Sequence, residues 1–180
     1  MSEALLIIDY QNDFASPDGA LSVRGGQDIA PRINQLAKTG GFPFVVATRD
    51  WHPPDHKSFK EQGGVWPVHT VQGTEGAELD AALDREDVDL VFDKGTNQET
   101  DGYSAFETPE LAQILRDRGI DKLTVVGLAT DYCVKNSALD AERGGFQVRV
   151  DTTAVRGVDV EPGDSERALD ELRAAGVEVT

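Results

Sequence analysis

The sequence predicts an α/β fold: a single doubly wound domain, residues 1–180, with a six-stranded parallel sheet flanked by helices. Short β-type apolar runs alternate with amphipathic helical patterns from one end of the chain to the other. The first run, residues 4–8, is apolar throughout, as a strand covered on both faces must be. Reactive polar residues also stand at the ends of successive runs, which is where open parallel sheets bind ligands. At 180 residues the chain can bury a sizeable core without disulfides or a structural metal.

Taken in order, the first strand ends at Asp9, and a loop with Pro17, Gly19, Gly25 and Gly26 follows. Ile29, Ile33, Leu36 and Ala37 then share one helical face, which Gly40 and Gly41 close. A second strand covers 44–47 and runs out at Asp50. Residues 51–76 show no sustained period but hold all three histidines and both tryptophans. A loop of that length inside a compact domain is usually functional. Leu79, Ala82 and Leu83 suggest a short helix, and 88–92 form a third strand ending at Lys94. After a loop through Gly102, Thr108 caps a helix with Pro109 at its first position, Leu111, Ile114 and Leu115 inside, and Gly119 past its end. Strand four is 123–126, and a turn over 127–130 leads to a helix marked by Val134, Ala138 and Ala141. Residues 146–150 make strand five, Asp164 caps a last helix carrying Leu169 and Leu172, and 177–180 supply strand six.

The formal charge is −16, from 33 acidic and 17 basic residues. That balance argues against a nucleic-acid or anionic-membrane partner, because neutralising phosphates takes a basic patch. Twenty Asp against six Lys exceeds what solubility requires and resembles the carboxylate-rich surfaces of proteins from salt-accumulating organisms. No apolar run approaches 18 residues and the start, MSEALLIIDY, lacks a signal peptide's basic region, so the cytoplasm is the expected compartment. Homo-oligomerisation is left open.

Cys133 is the only cysteine, set in the stretch LTVVGLATDYCVKNSALDA at 123–141. Strand, sharp turn and helix place it in a first helical turn. Unpaired amides and the helix dipole favour an anion there and should make the thiol more acidic. On this stretch alone Cys133 reads equally well as a nucleophile or as a small core residue. Asp9, Asp50, His52, Lys94 and Cys133 all fall just beyond strand ends and should face one edge of the sheet. A cysteine hydrolase needs a nucleophile, a base and a stabilising charge. Cys133 would attack, Asp9 would take and return its proton, and Lys94 would hold thiolate and carboxylate charged. Taken singly, Asp9 would more often be a cap and Lys94 a solvated surface charge.

Asp50 and His52 share a face of an extended segment, and His69 follows seventeen residues later. One carboxylate and two imidazoles suit zinc, iron or manganese with positions left open. His56 or Glu61 could be a fourth ligand. Ordinary loop residues remain the alternative reading.

The segments LLIIDYQNDF at 5–14, ATRDWHPPDHKSF at 47–59, WPVHTVQGTEGAEL at 66–79, DKGT at 93–96, DGYSAF at 101–106 and VVGLATDYCVKNSALDA at 125–141 together resemble the isochorismatase-like cysteine hydrolase family, in its nicotinamidase branch. The resemblance spans about residues 4–155. It implies an Asp9, Lys94, Cys133 triad, one divalent metal on Asp50, His52 and His69, and a small-molecule amide substrate: nicotinamide, hydrolysed to nicotinate and ammonia, and pyrazinamide besides. It further implies a cis peptide before Ala129, an oxyanion hole from the Ala129 and Cys133 amides, and a pyridine pocket lined by Phe14, Trp66 and Tyr103. Thr70 and Gly102 depart from the common pattern, and Gly102 is expected to loosen the loop that carries Tyr103. Other readings are a relative acting on a different small C–N substrate, a silent scaffolding domain, and a metal-handling module.

Overall fold

The structure, a computed structural model, describes residues 2–180. Its strands are β1 Ser2–Ile8, β2 Phe44–Asp50, β3 Leu90–Lys94, β4 Ile120–Leu128, β5 Gln147–Arg156 and β6 Glu178–Val179. Its α-helices are α1 Asn12–Ala15, α2 Ala30–Thr39, α3 Glu110–Asp117, α4 Lys135–Arg143 and α5 Asp164–Ala174. The six strands form one sheet in the order β3-β2-β1-β4-β5-β6, and every pairing is parallel. This is the expected doubly wound α/β architecture. The order reverses between β1 and β4, so the crevice beyond Ile8 and Leu128 is the place for a ligand.

β1 lies at the centre of the sheet, which is why it can be apolar throughout. Its even-numbered residues Ala4, Leu6 and Ile8 join one core with Leu123 and Val125 of β4, Leu111 and Leu115 of α3, Ala138 of α4 and Leu172 of α5. Leu5 and Ile7 point to the other core, with Val126, Leu128 and the α2 residues Ala30 and Ile33. Gly127 is where β4 presses on β1: its φ is +112°, and a Cβ there would lie 2.2 Å from the Ile8 carbonyl oxygen. No other residue fits.

Several expected elements differ. Residues 79–83 form no helix; Leu79 makes an isolated antiparallel bridge to Gln11, and Leu83 is buried by a turn. Two leucines four apart met the helical spacing, but Asp80 and Asp84 leave too few residues between them to propagate one. The α3 helix begins after Pro109, and the Thr108 side chain makes no capping bond. Asp164 is the first residue of α5 rather than its cap; its carboxylate accepts the Glu161 amide. β5 continues to Arg156 past a polar interruption: while β4 advances from Val125 to Gly127, β5 advances from Val150 to Val155. The extra residues are accommodated because Asp151 accepts the Thr153 amide and pairs with Arg32 of α2 at 2.9 Å.

Among the described residues no helix is long and apolar enough to cross a membrane. The acidic excess, 33 against 17, leaves many surface carboxylates without a cation. Screening relieves their repulsion, so the melting temperature should rise from low salt toward molar KCl. A flat or falling trend in a calorimetric scan would refute the high-salt reading.

Candidate active site

The strand ends deliver the expected residues to one edge of the sheet. Asp9 follows β1, Asp50 and Lys94 close the adjacent strands β2 and β3 and face each other in register, and Cys133 lies beyond β4. All are buried: Asp9 is 0%, Asp50 4%, Lys94 5% and Cys133 7% exposed. The Lys94 ammonium sits at their centre, with Nζ 2.8 Å from Asp9 Oδ2, 3.0 Å from Asp50 Oδ1 and 3.5 Å from Cys133 Sγ. Its reading as a solvated surface charge is therefore wrong. Asp9 Oδ2 is paired with the ammonium, while Oδ1 faces the Thr48 hydroxyl. Ligand atoms of Asp9, Asp50 and Cys133 lie within 4.8 Å of one another, a spacing that would suit a metal, but the ammonium already fills that space.

Burial disfavours the charge on Lys94, yet Asp50 and Asp9 outweigh it and hold the amine protonated well above its ordinary range. For Asp50, burial opposes ionisation, but Lys94 and then His52 draw the carboxyl far below its usual value. Asp9 goes the other way: burial, aided by Asp50, raises it against the pull of Lys94. Burial also pushes the Cys133 thiol well up, Lys94 opposing and Asp9 and Asp50 assisting. This direction is opposite to the acidified thiol expected at a helix start, because desolvation is the leading influence on the buried sulfur.

Cys133 lies in a π-type turn, Thr130–Val134, that opens into α4. The peptide between Leu128 and Ala129 is cis. The Ala129 carbonyl accepts the amides on either side of Cys133, those of Tyr132 at 3.2 Å and Val134 at 3.1 Å. This tight turn places Ala129 and Cys133 together on the pocket wall.

Asp50 has a second role through its other oxygen. Oδ2 lies 2.9 Å from His52 Nε2 and 3.8 Å from His69 Nε2, and the three ligand atoms fall within 4.8 Å of one another. Each imidazole has its Nδ1 against a backbone carbonyl, His52 on Gly95 and His69 on Pro67, both at 2.7 Å. A carbonyl cannot donate, so each Nδ1 carries a proton, and the Nε2 of each ring, turned toward the carboxylate, is the atom that would ligate. Three electron-rich atoms converging this way fit a divalent cation. Burial lowers His69; it acts on His52 too, but there Asp50 prevails and the direction is upward.

Neither candidate for a fourth ligand joins them. Glu61 is exposed on the surface turn Lys60–Gln62. The Nδ1 of His56 accepts the Ser58 amide at 3.2 Å, so its Nε2 carries the proton and cannot ligate; the ring stacks on His52 with centroids 3.8 Å apart. Burial pushes its pKa down to about 4.

A pocket opens beside the triad and the three ligands, lined by Phe14, Trp66 and Tyr103 together with Asp50, His52, His69 and Cys133. Trp66 Nε1 donates to the Tyr103 hydroxyl at 3.0 Å. Gly102 does more than the sequence suggested. Its carbonyl accepts from Lys94 Nζ at 2.9 Å, its φ is +74°, and a Cβ there would meet Gly95 Cα at 2.6 Å. A glycine is what permits this close approach.

Sequence reasoning passed over three supports. The Thr48 hydroxyl donates to Asp9 Oδ1 at 2.7 Å and accepts the Asp9 amide at 3.1 Å. Gln11 accepts the Asp50 amide and donates to its carbonyl, both at 2.8 Å. Tyr132 meets Trp66 edge-on at 5.0 Å and lines the pocket. A threonine directly following the apolar run 44–47 was the available signal for the first; the others had none.

A parallel α/β sheet with a buried thiol, carboxylate and ammonium at its switch point, beside a metal-competent triad, defines a cysteine-hydrolase type of site. The Isochorismatase domain model matches residues 3–180, and the chain belongs to the isochorismatase family. It is 43% identical to the nicotinamidase of Escherichia coli (strain K12), over 96% of this chain and 92% of that protein. Among solved structures, PnC1 from L. infantum in complex with nicotinate superposes with a TM-score of 0.95 at 38% identity, covering 99% of this chain and 92% of that one. The pyrazinamidase of Pyrococcus horikoshii in complex with zinc gives 0.90 at 44% identity, covering 100% and 99%.

Proposed function

We propose that this chain hydrolyses nicotinamide to nicotinate and ammonia, and pyrazinamide likewise, through a thioester on Cys133. The observation that carries this is the Lys94 ammonium, in contact with Asp9, Asp50 and Cys133 at the floor of an aromatic pocket. The identity to nicotinamidases over nearly the full chain supports the same reading. As the thiol attacks the carboxamide carbon, Asp9 takes the sulfur's proton and Lys94 balances the resulting charges. The Ala129 and Cys133 amides hold the oxyanion. Asp9 then gives the proton to the departing ammonia, and water displaces the acyl group from Cys133 with Asp9 again as base. Phe14, Trp66 and Tyr103 hold the ring. The compartment we assign is the cytoplasm, where a lone thiol stays reduced.

Asp50, His52 and His69 would hold one divalent metal, zinc, iron or manganese. A metal held there would supply a Lewis-acid site for the pyridine nitrogen and so help Phe14, Trp66 and Tyr103 orient the ring. Nicotinamide has that nitrogen and benzamide does not, while both offer the pocket a similar ring and carboxamide. A chelator, or His52→Ala, should therefore abolish most of the preference for nicotinamide, and added metal should restore it to the chelated protein. Equal turnover of the two amides by metal-loaded protein, or a preference indifferent to chelation, would point to a non-pyridine amide.

A further inference from the structure

One wall of the pocket comes from a segment that neither the triad nor the metal ligands explain. After β5 the chain crosses the pocket at Val158, which lines it together with Ala129, Tyr132 and Cys133. This crossing is clasped from below by a single carboxylate. Asp131, buried at 6% exposure and two residues before the nucleophile, accepts the Val158 amide on Oδ1 at 2.9 Å and the Asp159 amide on Oδ2 at 2.8 Å. Asp159 takes a left-handed φ of +50° and accepts both the amide and the hydroxyl of Ser165, at 2.7 and 2.9 Å. Gly157 fits without slack, since a Cβ there would overlap Ser165 Oγ. The segment is thus tied on one side to the turn that bears Cys133 and on the other to the first turn of α5.

We propose that Asp131 is a positioning residue that sets the width of the substrate pocket, and that Val158, held by it, is the side chain that rejects substituted rings. Asp131 reaches no substrate. Both its oxygens are spent on consecutive amides, a charge-assisted pair that fixes the Val158 backbone relative to the sulfur. A wall fixed to the nucleophile's own turn keeps the ring-to-sulfur distance constant while it limits ring size. This inference rests on the pyridine-amide reading above.

The test compares nicotinamide with its 2-, 4-, 5- and 6-methyl derivatives on wild type, Val158→Ala and Asp131→Asn. A pocket wall discriminates a single added carbon by about 10–200-fold, so shortening Val158 should raise kcat/KM for at least one methyl isomer, relative to nicotinamide, by roughly tenfold. Asp131→Asn keeps one acceptor and loses the other. It should shift the same isomer in the same direction, chiefly through KM, and speed hydrogen exchange of the Val158 and Asp159 amides while the β1 and β4 amides stay protected. Relative rates unchanged for all four isomers in both variants, or unaltered exchange at those two amides in Asp131→Asn, would overturn the proposal. Wild type that leaves nicotinamide intact would refute the substrate reading instead, and the exchange measurement would still decide whether Asp131 anchors the wall.

Discussion

Cys133→Ala should abolish ammonia release from nicotinamide, by roughly four or more orders of magnitude, while nicotinamide still binds. Sγ forms the covalent bond, and no other thiol exists in the chain to replace it. We assign binding to Phe14, Trp66, Tyr103 and the Asp50, His52, His69 set, which line the same pocket and stay in place in the variant. The variant should also fold, because an alanine methyl occupies the space of a small side chain among apolar neighbours. Calorimetric titration with nicotinamide, beside an ammonia assay, checks both halves. Residual turnover above a trace would exclude the thioester route.

Lys94→Ala should be as damaging to turnover, and it should also destabilise the protein. From sequence alone the lysine is a strand-end residue whose loss leaves folding nearly intact. Its burial overturns that expectation. Lys94 Nζ is the cation shared by two buried carboxylates; without it Asp9 has no counter-charge and Asp50 is left with its histidine neighbours alone. Breaking a buried pair by removing one partner costs about 3–5 kcal/mol. Asp50 then loses the leading influence that holds it ionised, so part of its contribution disappears as it protonates. Thermal unfolding should show a clear drop for Lys94→Ala and a smaller one for Asp9→Asn, in which the amide still accepts from Thr48. Wild-type turnover and stability in Lys94→Ala would return the residue to an incidental role.

The strands were legible because a parallel sheet buried on both faces leaves a plain apolar signature, and residues 4–8 and 123–126 carry it. Their order then brought Asp9, Asp50, Lys94 and Cys133 to one edge without any contact being known. What stayed hidden depends on burial and on backbone groups. Desolvation is the leading influence on the thiol, and no local motif reports it. Lys94 is steered by the Gly102 carbonyl and His52 by the Gly95 carbonyl, and neither acceptor is written in a side chain. The continuation of β5 past Asp151 was masked by polar residues whose hydrogen bonds close only on the folded sheet. Asp131 was visible only as one more acid in an acidic chain, although both its oxygens are committed.

The central claim, a covalent acyl group on Cys133, is tested most directly by partitioning. Nicotinamide and methyl nicotinate differ only in the group that leaves when the sulfur attacks, so both should yield the same nicotinoyl thioester. With hydroxylamine present to compete with water, the ratio of nicotinohydroxamate to nicotinate should then be identical from the two substrates at every hydroxylamine concentration. A ratio that depends on which substrate was supplied would mean that water or hydroxylamine attacks the substrate itself, and the thioester would not lie on the path.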